Sequence, residues 1–231
     1  MLVVSNIDLT AENIQVMKPT TFLETAIKDF TLNLNDDYRY LKMGYYVSLH
    51  AEVLGSKVIP SCEDIIDCSR APILLLRAAK AGIPTLPFLV TDSVKKIMEE
   101  IGFPVAVFAV NPFIHSGYKT AANKSALYRV MKSLGMNYKF AVCAQPLKGE
   151  MISVKAFFGK SEGEKEAQKI SEQVFELFKI PVCKLHLQKV EDKTYLCGMQ
   201  PLSREELCRD DLKAISRGVS LISERGEPFS D

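Results

Sequence analysis

The apolar pattern of this chain changes rhythm once, near residue 138, and that change limits the folds open to it. Before it, strand-like and helix-like runs alternate. Residues 2–7, 14–17, 30–34 and 58–60 read as extended, with Phe30, Leu32 and Leu34 alternating with Thr31 and Asn33. Residues 41–54 read as a helix that Gly55 is placed to end. A second helix starts after Ser69, takes Pro72 into its first turn and stops at Gly82. Such alternation implies helices packed over a partly parallel, doubly wound sheet.

The middle of the chain continues in the same manner. Residues 86–90 form a short extended piece. Thr91 or Asp92 then caps a helix with Val94, Ile97, Met98 and Ile101 on one face. Residues 105–110 are apolar throughout, as in a strand covered on both faces. Asn123 caps a helix carrying Leu127, Val130, Met131 and Leu134. From residue 138 the order becomes β-β-α-β-β-α, which implies a mostly antiparallel sheet. Strands at 138–144 and 151–158 meet at a turn around Lys148 and Gly149, and a helix spans 164–178. Strands at 182–190 and 194–199 flank a charged loop. The last helix opens with a capping box, Ser203 to Glu206, and carries Leu212, Ile215, Val219 and Ile222 as a stripe that packs on the sheet. The expected architecture is α/β: a doubly wound lobe over residues 1–90, then an α+β lobe with a mostly antiparallel sheet over 91–231, as two lobes or one compact domain.

Composition narrows the function classes. Of 231 residues, 47% are hydrophobic and 25% charged, which supports a packed core and argues against disorder. The net charge of +1 leaves no basic excess for a phosphate backbone, so no nucleic-acid partner is expected. The longest apolar stretch, residues 103–114, is too short to span a bilayer and is interrupted by prolines, so no membrane partner is expected. The opening MLVVSNIDLT has no basic n-region, and the expected location is cytoplasmic. The six cysteines form no CxxC pair and read as small buried hydrophobes. The paired carboxylates fall mostly in loops or on exposed helix faces, and no metal site is expected from them.

Two segments stand out chemically. Residues 36–52 hold Tyr38, Arg39, Tyr40, Gly44, Tyr45, Tyr46, Ser48 and Glu52, spanning a strand end and a helix start. In open α/β sheets ligands bind at such junctions, so these eight residues are the candidate ligand- or partner-binding site, although tyrosines there also serve to pack helix on sheet. A second segment follows the apolar strand: Asn111, His115, Ser116, Gly117 and Lys119 form a weaker candidate anion loop. It has one glycine, and no phosphate-loop motif occurs in the chain. No nucleophile setting surrounds any histidine, so no catalytic residue is assigned.

Residues 38–61, YRYLKMGYYVSLHAEVLGSKVIPS, resemble the signature of the RimK-like ATP-grasp N-terminal domain family. ISVKAFFGK at 152–160 and QPLSREEL at 200–207 follow in the family's order. The middle is similar to the front of an ATP-grasp fold, in RAPILLLRAAKAGIPTLPFLV and in IGFPVAVFAV. The resemblance implies a pre-ATP-grasp-like N-terminal lobe and an ATP-grasp-like lobe. It would also imply ATP and Mg²⁺ as cofactors of a carboxylate–amine ligation. The chain departs from the enzymes at three places, one of them the loop after residues 105–110, which lacks their glycine-rich flap. Phe108 stands where they carry a nucleotide-binding lysine. The strand that would hold magnesium through a Glu-x-Asn pair has Gly198 and Gln200 instead, without the hard anionic ligands that Mg²⁺ requires. The expected role is therefore a non-catalytic accessory or recognition module whose partner is a RimK-like ATP-grasp ligase. A small or degenerate ATP-grasp ligase and a nucleotide or metabolite sensor are the alternatives.

Overall fold

A computed structural model of the chain describes residues 1–9, 15–111 and 117–224. Its strands form three four-stranded sheets. The first is parallel, in the order β2-β1-β3-β4, from β1 (Leu2–Ser5), β2 (Val16–Met17), β3 (Thr31–Leu34) and β4 (Val58–Ile59). β1 and β3 are central and buried at every residue, which explains their apolar make-up. Helices α1 (Pro19–Phe22) and α2 (Met43–Val53) cover one face, setting Phe22, Val47 and Ala51 against Leu2 and Val4. The polar Asn33 inside β3 is satisfied: its Nδ2 donates to Gly44 O at 2.6 Å and to Ser48 Oγ at 2.8 Å.

The opposite face is covered from the far end of the chain. Helix α8 (Arg209–Glu224) lays Ile215, Val219 and Ile222 on Val3, Ile7, Leu32, Leu34 and Ile59. The apolar stripe expected of this helix is present, and it is shared between the N-terminal sheet and Phe157, Phe158 and Val182 of the later part of the chain.

The second sheet is antiparallel, in the order β5-β8-β6-β7. It contains β5 (Leu89–Thr91), β6 (Val105–Ala109), β7 (Tyr118–Ala121) and β8 (Val142–Pro146). Helices α5 (Val94–Glu100) and α6 (Lys124–Leu134) pack Ile97, Leu127, Met131 and Leu134 onto Val105, Val107, Val142 and Ala144. The third sheet is also antiparallel, in the order β10-β9-β11-β12. Its strands are β9 (Glu150–Phe157), β10 (Lys160–Ser161), β11 (Val182–Val190) and β12 (Lys193–Gln200). Helices α3 (Cys62–Cys68), α4 (Ala71–Lys80) and α7 (Lys165–Phe178) bury its face at Leu185, Leu187 and Leu196. The α/β class and the antiparallel character of the second half are as expected, with two antiparallel sheets in place of one.

Several local expectations are corrected. The strand placed at 138–144 begins at Val142, because Met136, Asn137 and Tyr138 hold left-handed φ values of 49°, 59° and 61°. The turn at Lys148 and Gly149 does not close a hairpin; it carries the chain from the second sheet to the third. The cap of α5 is Ser93, because Thr91 is held in β5 opposite Val142. The capping box Ser203–Glu206 closes a 3₁₀ turn, and α8 starts three residues later. β7 and α3 were not read from the pattern. Ser61, which accepts from Asp64 N at 3.1 Å, is the cap that signals α3.

Candidate functional site

The three sheets converge on a cavity of about 60 Å³. The N-terminal part supplies Tyr38 and Arg39, α3 supplies Cys68, and the second sheet supplies Asn111 and Gly117. The third sheet supplies Cys183 and Gln200. Roughly 300–1,000 Å³ is usual for a cofactor pocket, so this space suits a few atoms rather than a nucleotide.

The residues singled out in 36–52 divide into three groups. Tyr38 and Arg39 reach the cavity. The Tyr38 hydroxyl donates to Asn33 O at 2.9 Å and accepts from Asn35 N at 3.1 Å, and burial raises its pKa well above the usual phenol value. Arg39 donates through Nε to Asp37 Oδ1 at 2.8 Å and pairs through Nη2 with Asp37 Oδ2. Burial acts to raise the Asp37 pKa, but the Arg39 hydrogen bonds and charge outweigh it and hold this carboxyl below its usual value.

Gly44, Ser48 and Glu52 hold the fold together. A Cβ on Gly44 would stand 2.7 Å from Asp37 O, so only glycine lets α2 start against that loop. Ser48 Oγ donates to Pro60 O at 2.6 Å, and Glu52 Oε1 accepts from Cys62 N at 2.7 Å, at the start of α3. Tyr40 and Tyr46 are exposed and meet the half-buried Tyr45 edge to face, with centroids 5.1 and 6.1 Å apart, and none of the three lines the cavity.

The anion-loop candidates also separate. Asn111 is buried, lines the cavity and donates through Nδ2 to Leu134 O at 3.0 Å. Gly117 lines it too, while Lys119 is engaged elsewhere, donating to Ser133 Oγ at 2.7 Å. His115 and Ser116 lie outside the described residues.

Beside the cavity, the two antiparallel sheets meet face to face. Phe108 is 2% exposed, and its ring lies against Gly198, where a Cβ would come within 2.7 Å of Cε1. Ala106, Cys143 and Cys197 complete this apolar contact, and Gln145 Nε2 donates across it to Cys197 O at 2.8 Å. His186 adjoins Phe108 and Tyr118, at 6.5 and 5.1 Å between centroids. Its Nδ1 contacts Ser153 Oγ at 2.9 Å, and burial lowers its pKa against the opposing influence of Gln200. Gly117 closes over His186 Nε2 and Gln200 Oε1 so tightly that a side chain at 117 would overlap both.

Sequence reasoning did not anticipate Cys68, Cys183 or His186 at this junction. Nothing in their local sequence marks them, since each reads as an ordinary core or strand residue.

A family model described as the RimK-like ATPgrasp N-terminal domain matches residues 21–217, and the chain belongs to that family. Solved ATP-grasp structures share its fold. A RimK domain ATP-grasp protein from Sphaerobacter thermophilus DSM 20745 is 12% identical with a TM-score of 0.66, over 94% of this chain and 98% of that one. D-alanine–D-alanine ligase from Bacillus anthracis, in its ATP complex, is 16% identical with a TM-score of 0.65, over 96% and 95%. The ATP-grasp ligase PsnB, with minimal precursor, Mg and ADP, is 13% identical with a TM-score of 0.63, over 98% of each chain. No curated protein matches the chain.

The residues present do not fit the Mg-ATP that the fold implies. The position expected to offer a lysine offers a buried phenyl ring, and the ring fills the space above a strand position expected to offer a carboxylate. Among the described residues no group of three or more His, Cys, Asp or Glu side chains is placed to hold a metal ion. No helix among them is long and apolar enough to cross a membrane.

Proposed function

We propose that this chain is a non-catalytic recognition module for a RimK-like ATP-grasp carboxylate–amine ligase. It keeps the ATP-grasp architecture and uses the small cavity at Arg39, Asn111 and Gln200 to recognise part of the ligase's substrate or of the ligase itself. The observation that carries this reading is the contact between Phe108 and Gly198. Two of the three departures from the enzyme pattern meet and pack together, as in a cleft remade into core.

A ligand that binds only the folded state must raise the melting temperature, by RT ln(1 + [L]/Kd) in free-energy terms. Mg-ATP and Mg-ADP at millimolar concentration should therefore leave the Tm unchanged. The tagged chain should retain a RimK-like ligase from the same extract, and Arg39→Ala should weaken that retention. A clear Tm rise with Mg-ATP would instead favour the second reading, a degenerate ATP-grasp ligase. Its support is that the ATP-grasp structures match over nearly the whole of both chains. A Tm rise without product formation would favour a nucleotide sensor.

A further inference from the structure

The net charge of +1 conceals a separation of charge along the chain. Residues 101–149 contain no aspartate or glutamate, yet they hold Lys119, Lys124, Arg129, Lys132, Lys139 and Lys148. All six are exposed, and none forms an ion pair among the described residues. Five of them gather on the solvent face of α6 and the turn that follows it. Lys124, Arg129 and Lys132 stand on the helix itself. Lys119 reaches across from β7 and donates to Ser133 Oγ at 2.7 Å, one helical turn from Arg129. Lys139 lies in the turn.

The elements packed against α6 do not neutralise this face. β6 carries no charged residue, and β7 carries only Lys119. α5 carries Lys95, Lys96, Glu99 and Glu100, which cancel, with Lys95 and Glu99 paired at 3.6 Å. Even with Asp92, ahead of α5, residues 92–149 hold eight Lys and Arg against three Asp and Glu. Charge segregated onto one face is the electrostatic footprint of a polyanion partner.

Three aromatic rings stand among these cations: Tyr128, Tyr138 and Phe140. The Tyr138 hydroxyl donates to Tyr128 O at 3.0 Å, which lays the turn back along α6. Asn137 N donates to Lys132 O at 2.8 Å and Phe140 N to Gly135 O at 3.0 Å, fixing the turn's backbone. The three residues are 39–45% exposed, so each offers a ring face rather than a whole protruding side chain. Ring faces between cations suit bases and phosphates together. An acidic peptide would leave the faces unused, and a bilayer takes anchors that protrude into it.

We propose that the exposed face of α6 and the turn at 135–140 bind single-stranded nucleic acid. Its phosphates lie on Arg129, Lys132 and Lys139, and its bases stack on Tyr128 and Tyr138. This inference is independent of the ligase reading, because none of these residues lines the junction cavity.

The test is fluorescence anisotropy of the full chain with a labelled decauridylate, across a salt series. With about four phosphates neutralised, log K should fall with log salt at a slope of about −3, or about 50-fold between 50 and 200 mM. Arg129→Glu/Lys132→Glu should weaken binding at least tenfold. Tyr128→Ser/Tyr138→Ser should weaken it about tenfold with the salt slope unchanged. The charged pair is solvent-exposed, so its variant reads the site even if the tyrosine variant is less stable. Lys165→Glu/Lys169→Glu, on α7, should bind as wild type. The proposal is overturned by no saturable anisotropy change at low salt, or by an equal loss in the α7 variant. It is also overturned if polyglutamate competes equally per charge, which assigns the face to an acidic protein. Equal competition by phosphatidylserine vesicles overturns it too, in favour of a membrane surface.

Discussion

The Phe108 ring and the Gly198 backbone are in contact across the two antiparallel sheets, with 2.7 Å between Cε1 and the position a Cβ would take on residue 198. A large side chain on β6 and a missing one on β12 thus form a complementary pair. Ala106, Cys143 and Cys197 extend the contact, so the face of one sheet is buried by the face of the other.

This pair should behave as a coupled unit. Phe108→Ala should cost about 3–5 kcal/mol, as for other buried aromatics. Gly198→Ala should cost about 1–3 kcal/mol through overpacking against the ring. In the Phe108→Ala background the added methyl has room, and Gly198→Ala should become nearly neutral. Urea unfolding of the two single variants and the double variant measures the coupling, and simple additivity would contradict the contact.

The Asp37–Arg39 pair should make stability pH-dependent at the acid end. The Arg39 guanidinium holds the folded Asp37 carboxyl below the usual carboxylate range, outweighing the opposing effect of burial. The stabilisation is therefore fully present above the unfolded value and is lost as pH falls through the folded one. Asp37→Asn should be about 1–3 kcal/mol less stable than wild type near pH 7. The gap should narrow as the pH falls through the folded value, where residue 37 becomes neutral in both proteins. Denaturant titrations across this range measure it, and a gap constant with pH would show that the charge is irrelevant.

The cysteines should differ sharply in reactivity. Burial pushes the Cys143, Cys183 and Cys197 thiols up to about 12 and raises Cys68 well above the usual value. Burial also lifts Cys62 to about 12, helped by the Glu52 carboxylate beside it. Only Cys208 is exposed. Because the thiolate is the reactive form, an aromatic disulfide reagent at pH 8 should modify one thiol quickly. Cys208→Ser should abolish that fast phase. Rapid reaction at two or more sites would contradict the burial.

Much of the secondary structure was legible in the residue pattern. The helical stripe of Leu127, Val130, Met131 and Leu134 and the alternation at Cys183, Leu185 and Leu187 are local signals, set by neighbours a few residues away. The strand start at 142 was hidden, because of Met136, Asn137 and Tyr138 only Asn137 is a residue that favours a left-handed backbone. Of the tyrosine-rich segment, the sequence showed a cluster but not its division. Tyr38 turns into the core while Tyr40 and Tyr46 face solvent, because the start of α2 against the Asp37 loop rotates them apart.

Local sequence was enough to indicate the α/β class and the antiparallel second half, and the family resemblance drew attention to positions 108 and 198. That those positions touch was decided by tertiary structure alone. They are ninety residues apart and sit on different sheets, and only the packing of one sheet face on the other brings them together. The same holds for α8, whose stripe announces a buried face but not which sheet buries it. A hydrophobic stripe is non-directional in what it requires, so its partner is chosen by the shape of the assembled fold.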